Sequence, residues 1–277
     1  MVLTDHRLPA GSWDTHCHVF GPAFEYPWAE RRTYTPEEVP RETVFAMHDA
    51  IGAERAVIVH PACHGFDMGV TLDAIAATDG RYRGIALVDE SMRDAELKRL
   101  HAGGIRGIRF NYAPSLGQAP SRETVMALAK RIAPLGWHIL FHFDPAAIEG
   151  FEPLAAELPV PFVIDHLGRI RAEHGLDQAP FRALLRLARN ERCWIKISGA
   201  DRASSQDHGY DDSIPFAHAL IEAIPQRILW GTDFPHPNII GSMPQEGDLV
   251  ALLRKFVPDE ALRHAILTEN PLPLYGN

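Results

Sequence analysis

Two histidines separated by one residue stand near the start of the chain, in the stretch WDTHCHVFGP that contains His16 and His18. In an extended strand, residues i and i+2 project from the same face, so both imidazoles would point the same way. Imidazole is a common metal ligand and a common acid or base near neutral pH. The spacing fits a metal-binding or catalytic pair, and it also fits two polar residues that share one side of a strand.

More polar residues follow short apolar runs further along the chain, each at the point where a run ends. They are His60, Arg109, His142, Asp165 with His166, and Asp233 in the stretch GTDFPHP. Polar groups at the end of an apolar segment need partners, which are other side chains, a metal ion or a substrate. If the runs are strands of one sheet, these residues meet at one edge, and the histidine pair belongs to a functional site.

The apolar runs recur at intervals of about 25 to 30 residues, a period typical of repeated strand and helix units. We predict a strand in each run: Ser12–His18, Arg55–His60, Tyr82–Val88, Gly107–Phe110, His138–His142, Phe162–Asp165, Trp194–Ile197 and Arg227–Trp230. Between them lie segments with apolar residues at i, i+3 and i+4. These predicted helices are TVFAMHDAIG, GVTLDAIAATDG, DAELKRLHAGG, RETVMALAKRIAPLG, FRALLRLARN, IPFAHALIEAI and DEALRHAILTEN.

This alternation predicts an α/β fold, a (β/α)8 TIM barrel that forms one domain over residues 1–277. A doubly wound open sheet is the alternative, but no GxGxxG motif follows the first strand. In a barrel of this kind the chemistry lies at the C-terminal ends of the strands. The fold therefore brings together the polar residues that follow the apolar runs.

Composition excludes several classes of partner. The chain has 277 residues, is 46% hydrophobic and carries a net charge of -9, with no clustered basic run that would bind nucleic acid. No segment is long and apolar enough for a membrane span or a signal peptide, so we expect no membrane association. Three scattered cysteines form no disulfide framework, which favours the cytoplasm. The oligomeric state is left open.

The motifs taken together resemble the amidohydrolase superfamily. An HxH pair after the first strand, a histidine after the fifth and the sixth, and an aspartate after the eighth form its pattern. Within the superfamily, the stretches DTHCHVFGP, RRTYTPEE, VIVHPACHG, GIRGIRFNY, APLGWHI, VIDHLGR and ILWGTDFPHPN look like the 2-pyrone-4,6-dicarboxylate hydrolases and related lactonases. The resemblance covers nearly the whole chain.

The resemblance implies roles for individual residues. Asp233 would be the general base that deprotonates the hydrolytic water, with His16, His18 and His166 grouped around the lactone carbonyl. Arg109, Arg202 and Tyr34 would hold substrate carboxylates, a task that suits the bidentate guanidinium group. We also expect His60 to bind substrate, although a hydrogen-bonded structural histidine is the alternative there.

The sequence departs from the pyrone hydrolases in ways that affect both metal and substrate. In those enzymes the fifth strand ends in a tyrosine and no metal is used, whereas the matching residue here is His142. A second arginine after the RFN motif is missing, so the pyrone dicarboxylate itself is doubtful as the substrate. His142 completes a set suited to Zn²⁺, which consists of His16, His18, His142 and Asp233. Metal-independent catalysis, in which His142 only contacts substrate, is the alternative.

The predicted activity is the hydrolysis of a small anionic lactone that carries at least one carboxylate. Pyrone carboxylates, muconolactone-type compounds and sugar-acid lactones all fit, and the resemblance implies a role in the catabolism of aromatic compounds. Two alternatives remain open. One is a metal-dependent decarboxylase or lactone isomerase of the same superfamily, and the other is a barrel that binds a small acid without catalysis.

Overall fold

A computed structural model describes residues 7–239 and 241–276 of the chain. Eight parallel strands form one sheet in sequential order from β1 to β8. The strands are β1 (Trp13–Cys17), β2 (Arg55–Val59), β3 (Tyr82–Ala86), β4 (Ile105–Tyr112), β5 (His138–Phe143), β6 (Phe162–Ile164), β7 (Cys193–Lys196) and β8 (Ile228–Leu229). The predicted α/β barrel is confirmed, and each predicted strand is present.

The strand bounds differ most from the prediction at β4 and β8. β4 is longer than predicted because it pairs with β5 over six consecutive positions, from Gly107 opposite His138 to Tyr112 opposite Phe143. β8 is only two residues long. Its continuation bonds to β1 irregularly, so these residues lie beside β1 without forming a regular ladder.

Helices connect the strands and cover the outside of the barrel. They are α1 (Arg41–Ile51), α2 (Gly69–Ala76), α3 (Asp94–Ala102), α4 (Arg122–Ile132), α5 (Pro145–Ile148), α6 (Glu152–Glu157), α7 (Ala179–Ala188), α8 (Ala200–Ala203), α9 (Ile214–Ala223), α10 (Glu246–Phe256), α11 (Glu260–Thr268) and α12 (Leu272–Tyr275). All seven predicted helices are present. The short helices α5, α6, α8 and α12 were not predicted, and neither was α10, although EGDLVALLRKF has acidic residues in its first turn and basic residues in its last.

Short 3₁₀ turns occur in the connections, at Ala62–His64, Pro114–Leu116, Ala133–Leu135, His166–Arg169, Ala172–His174, Asp211–Ser213 and Pro225–Arg227. Among the residues that the structure describes, no helix is long and apolar enough to cross a membrane.

Two apolar layers surround the strands. The barrel interior is filled by inward-facing side chains, which include Trp13, Val57, Val59, Ile85, Leu140, Val163, Trp194, Leu229, Leu274 and Tyr275. A larger layer packs between the sheet and the helices, with Val44, Ile75, Leu128, Leu184 and Leu253 among its members. Since apolar residues fill the interior, the polar side chains at the strand ends lie above this apolar layer.

The barrel closes between β1 and the residues that follow β8. Three backbone hydrogen bonds of 2.8 to 3.0 Å join the two segments, from Thr15 to Trp230, from Asp233 to His16 and from His18 to Phe234. This closure places the histidine pair of β1 directly beside Asp233, although more than 200 residues separate them in the sequence.

Candidate active site

The histidine pair lies at the end of β1, where the register of pairing with β2 shifts between Asp14 and Cys17. Both rings are buried, and their centroids are 5.1 Å apart. His18 Nδ1 lies 2.7 Å from the carbonyl oxygen of Val59. A carbonyl oxygen only accepts, so Nδ1 of His18 carries the proton and, in the neutral ring, Nε2 presents a lone pair.

His166 follows β6 on a turn of unusual backbone conformation. The φ angles of His166, Leu167, Gly168 and Arg169 are 54°, 53°, 67° and 54°, so four consecutive residues are left-handed. This conformation costs about 1–2 kcal/mol for each residue with a Cβ. Gly199 accommodates the turn, because a Cβ there would lie 2.6 Å from His166 Cβ. Strain of this kind is concentrated at functional sites.

Asp233 also has a left-handed backbone, with φ of 66°. Its Oδ1 atom lies 3.5 Å from His16 Nε2, 3.4 Å from His18 Nε2 and 3.6 Å from His166 Nε2. We call these four residues, His16, His18, His166 and Asp233, the mouth cluster. All four are buried. The sequence prediction that these residues are close together agrees with this geometry.

Arg202 holds the other oxygen of Asp233. Its Nη2 lies 2.6 Å and its Nε 2.7 Å from Asp233 Oδ2, and Nη2 also donates to the carbonyl oxygen of Pro237. Burial would raise the pKa of Asp233, but the Arg202 guanidinium and the neighbouring imidazoles hold it well below the usual range. Arg202 therefore keeps Asp233 ionised and turns Oδ1 towards the three histidines.

Asp165 and Lys196 support His16 from below, and both are fully buried. His16 Nδ1 lies 3.2 Å from Asp165 Oδ1, and Lys196 Nζ lies 3.3 Å from the same oxygen. Burial and the Lys196 ammonium lower the pKa of His16 well below its ordinary value, so the ring is neutral at pH 7. Lys196 Nζ also lies 3.2 Å from His16 Nδ1, so the carboxylate and the ammonium together fix the orientation of the ring. The sequence placed Asp165 at the end of a predicted strand but did not indicate this contact with His16.

The mouth cluster has the composition and spacing of a metal site. His16 Nε2 has no hydrogen-bond partner in the described part of the chain. His18, whose Nδ1 donates to Val59 O, turns the Nε2 lone pair of its neutral ring towards an anionic oxygen, which is unfavourable unless a cation lies between the two atoms. Tetrahedral zinc with bonds of about 2.0–2.1 Å places its ligand atoms about 3.3–3.4 Å apart. The separations of 3.5 Å and 3.6 Å from Asp233 Oδ1 to His16 Nε2 and His166 Nε2 are close to that value, and the donor atoms of these three residues lie within 4.8 Å of one another.

A cavity of about 400 Å³ opens above the mouth cluster. It is lined by His18, Thr33, Tyr34, Arg109, Leu116, His142, His166, Arg169, Arg202, Asp233, Pro237 and Asn238. Arg109 and Arg169 each have an Nε atom without a hydrogen-bond partner among the described residues. The Arg202 guanidinium is engaged by Asp233, whereas Arg169 and Arg109, whose Nη2 lies 3.7 Å from Asp165 Oδ2, add positive charge at the cavity wall.

The structure places the other predicted site residues unequally. Tyr34 and His142 line the cavity, and the ring of His142 lies 5.5 Å from that of His166. The donor atoms of His142 group closely with those of Asp165 and His166, whereas His16, His166 and Asp233 form a separate group.

The structure does not bring His60 to the cavity. Its Nδ1 lies 2.8 Å from Thr71 Oγ1 and its Nε2 lies 3.1 Å from the carbonyl oxygen of Gly65, so both nitrogens are used within the fold. Arg169 is a cavity residue that sequence reasoning missed. Its position three residues after His166, in VIDHLGR, was the available signal.

A parallel barrel with histidines and an aspartate at the C-terminal ends of its strands defines the class of barrel hydrolases with a His and Asp centre. The model of the Amidohydrolase family matches residues 13–276, and the chain belongs to this family.

Three related proteins match almost the whole chain. It is 44% identical over 272 residues to 4-sulfomuconolactone hydrolase of Rhizobium radiobacter, covering 97% of this chain and 91% of the relative. It is 38% identical over 278 residues to 2-pyrone-4,6-dicarboxylate hydrolase of Comamonas testosteroni, with the same coverage of 97% and 91%. A crystal structure of a probable 2-pyrone-4,6-dicarboxylic acid hydrolase from Acinetobacter baumannii, with citric acid bound, has a TM-score of 0.85 at 26% identity and covers 96% of this chain and 100% of that one.

Proposed function

We propose that this protein is a hydrolase that opens a small lactone carrying at least one carboxylate, at the mouth cluster. The observation that carries the proposal is the convergence of three imidazole Nε2 atoms on Asp233 Oδ1, beneath a cavity that contains Arg109 and Arg169. Two relatives at 44% and 38% identity are hydrolases of a sulfomuconolactone and a pyrone dicarboxylate, which supports an aromatic-derived lactone as the substrate.

We further propose that His16, His166 and Asp233 would hold a zinc ion and leave its fourth position open to a water molecule, with His18 beside the site. The sequence prediction had His18 and His142 beside His16 and Asp233, whereas the donor atoms that lie with those of His16 and Asp233 belong to His166. His142 then faces the cavity, where it contacts substrate. When bound, zinc lowers the pKa of a coordinated water to roughly 7 and polarises a carbonyl oxygen.

The protein residues supply orientation and proton transfer. Asp233 Oδ1 accepts a proton from the attacking water as the bond between the water oxygen and the lactone carbonyl carbon forms. The same carboxylic acid returns the proton to the ring oxygen as the carbon–oxygen bond of the ring breaks. Arg202 keeps Oδ2 in place during both transfers, because its guanidinium is held by that oxygen and by the carbonyl of Pro237.

Arg109 and Arg169 bind the substrate carboxylate. Both line the cavity, where their guanidinium groups place positive charge beside the mouth cluster. A charge-assisted hydrogen bond to a carboxylate is about twice as strong as a neutral one. The related crystal structure from Acinetobacter baumannii holds citric acid, a tricarboxylate, which agrees with a cavity adapted to carboxylates.

The decisive experiment is a panel of lactones assayed with a pH indicator. We expect at least one carboxylated lactone to release one proton for each ring opened, because hydrolysis converts an ester into an acid. A neutral lactone of the same ring size is the control and should react poorly.

Other outcomes would contradict the proposal. Conversion of a lactone without acid release would indicate an isomerase, and release of carbon dioxide would indicate a decarboxylase. Tight binding of carboxylated lactones without any turnover would indicate a binding protein.

A further inference from the structure

Asp14 is a buried carboxylate that takes part in no step of the proposed reaction, yet it contacts both β1, which carries the histidine pair, and the segment after β8 that carries Asp233. Its Oδ1 accepts hydrogen bonds of 3.0 Å from the backbone N–H groups of His16 and Thr232. Its Oδ2 accepts from Thr232 Oγ1 at 2.6 Å and lies 3.0 Å from His48 Nε2. We call Asp14, His48 and Thr232 the seam cluster.

These contacts lie at the least regular part of the barrel. The pairing register of β1 shifts between Asp14 and Cys17, and β8 ends at Leu229, before the residues that lie opposite His16 and His18. A β-bulge next to an active site re-aims a side chain, but it also disrupts the ladder locally. Asp14 binds the amide of one histidine ligand on one strand and the amide next to Asp233 on the other.

The space at this seam is also constrained. A Cβ on Gly231 would lie 2.6 Å from the backbone nitrogen of His16 and 2.9 Å from Asp14 Oδ1. Only glycine lets the chain after β8 approach β1 this closely. The close approach and the carboxylate together fix the separation between the two strands.

We infer that Asp14, through Thr232 and the amide of His16, is a positioning residue that sets the distance between the histidine pair and Asp233. The inference rests on the proposed function. It follows from the juxtaposition of one buried carboxylate with the backbone of both ligand-bearing strands. Groups that orient metal ligands from outside are worth about 10- to 100-fold in metal affinity or activity.

The test compares two variants of the buried hydroxyl at Thr232 with one control variant at another buried hydroxyl. Thr232→Val removes the hydroxyl that donates to Asp14 and that accepts from the Phe234 amide at 3.0 Å. Thr232→Ser restores the hydroxyl. Thr78→Val is the matched control, since the Thr78 hydroxyl is also buried, donates to Ile75 O and accepts from the Tyr82 amide. Zinc affinity is measured by competition with a chromophoric chelator, together with kcat and KM.

We expect Thr232→Val to weaken zinc binding and to lower kcat by about 10- to 100-fold, with KM nearly unchanged. Thr232→Ser should recover most of the zinc affinity and most of kcat. Thr78→Val should be less stable than the wild type but should keep its zinc affinity. Asp14→Ala should lower zinc affinity and kcat more than Thr232→Val does. If Asp14→Ala does not fold, the Thr232 pair decides the matter alone.

Wild-type zinc affinity and kcat in Thr232→Val would overturn the inference. An equal loss in Thr78→Val would also overturn it, because the effect would then be general destabilisation. If the wild type hydrolysed no lactone, the proposed function would fail. The zinc affinities of the variants would still test the positioning role of Asp14. If the wild type were active without zinc, the ratios of kcat between each variant and the wild type would test the positioning role of Asp14.

Discussion

The mouth cluster and the seam cluster are both buried and both contain histidine and aspartate. His16, His166 and Asp233 of the mouth cluster have donor atoms close enough to hold a metal, and so do Asp14 and His48 of the seam cluster together with Cys17. They differ in how their polar atoms are used. In the seam cluster, Asp14 accepts from four donors and His48 is bonded through both ring nitrogens, to Asp14 and to Tyr82. In the mouth cluster, His16 Nε2 has no hydrogen-bond partner among the described residues.

The difference separates a structural network from a site prepared for a ligand. Nearly all buried polar groups in folded proteins have partners, because an unpaired one costs about 1–3 kcal/mol. A network with every atom satisfied gains nothing from an ion. Unpaired nitrogens that face a carboxylate are stabilised when a cation or a substrate arrives. Proximity of acidic groups and histidines is therefore a weaker sign of function than the hydrogen bonds they lack.

Replacement of Asp233 by asparagine tests the mouth cluster, and we expect it to have the largest effect. Asparagine has nearly the same shape, but its amide neither accepts the proton of water nor neutralises Arg202. We expect kcat/KM for lactone hydrolysis to fall by roughly 10³-fold or more, with little change in the circular dichroism spectrum. Asp177→Asn, at an exposed position, is the control. Activity within about tenfold of the wild type would remove Asp233 from the mechanism.

Replacement of Arg169 by methionine tests the cavity above the mouth cluster. Methionine keeps much of the apolar stem and removes the charge that holds the substrate carboxylate. We expect KM to rise by about 10- to 100-fold, because a hydrogen bond to a charged group contributes about 1.5–3 kcal/mol, while kcat changes little. Arg171→Met, two residues away and exposed, should behave as the wild type. An unchanged KM would assign the carboxylate to Arg109 alone.

Replacement of Tyr82 by phenylalanine tests the seam cluster at its outer end, where we expect the smallest effect. The variant loses the 2.6 Å hydrogen bond between the tyrosine hydroxyl and His48 Nδ1. We expect the free energy of unfolding to fall by about 1 kcal/mol, as measured by urea denaturation at equilibrium. Asp14 keeps its other partners, so kcat should not change. A large fall in kcat without loss of stability would contradict the division between the two clusters.

The fold was predictable because its signal is periodic. Eight apolar runs alternate with amphipathic segments, and each run became a strand. The limits of β4 and β8 were less predictable, since they depend on pairing with neighbouring strands rather than on local sequence. Helix α10 was predictable from the sequence, because Leu249, Val250, Leu253 and Phe256 have helical spacing.

The site residues that directly follow predicted strands were predictable from the sequence. The residues whose position depends on tertiary contacts were less predictable. His16, His18 and Asp233 follow apolar runs, so the barrel topology alone brings them together. The left-handed turn that aims His166 and Arg169 has no simple sequence signal beyond Gly168. His60 ends a strand in the same way, but the hydroxyl of Thr71 engages its ring, and strand position cannot reveal that contact.

The central claim is that the mouth cluster holds one zinc ion that lactone hydrolysis requires. The most direct test is elemental analysis of protein purified without chelator, combined with turnover before chelation, after chelation and after zinc is restored. The account predicts one zinc for each chain in the active protein, loss of turnover when zinc is removed, and recovery on its return. Full turnover by protein without stoichiometric metal would contradict the claim and leave Asp233 to activate free water unaided.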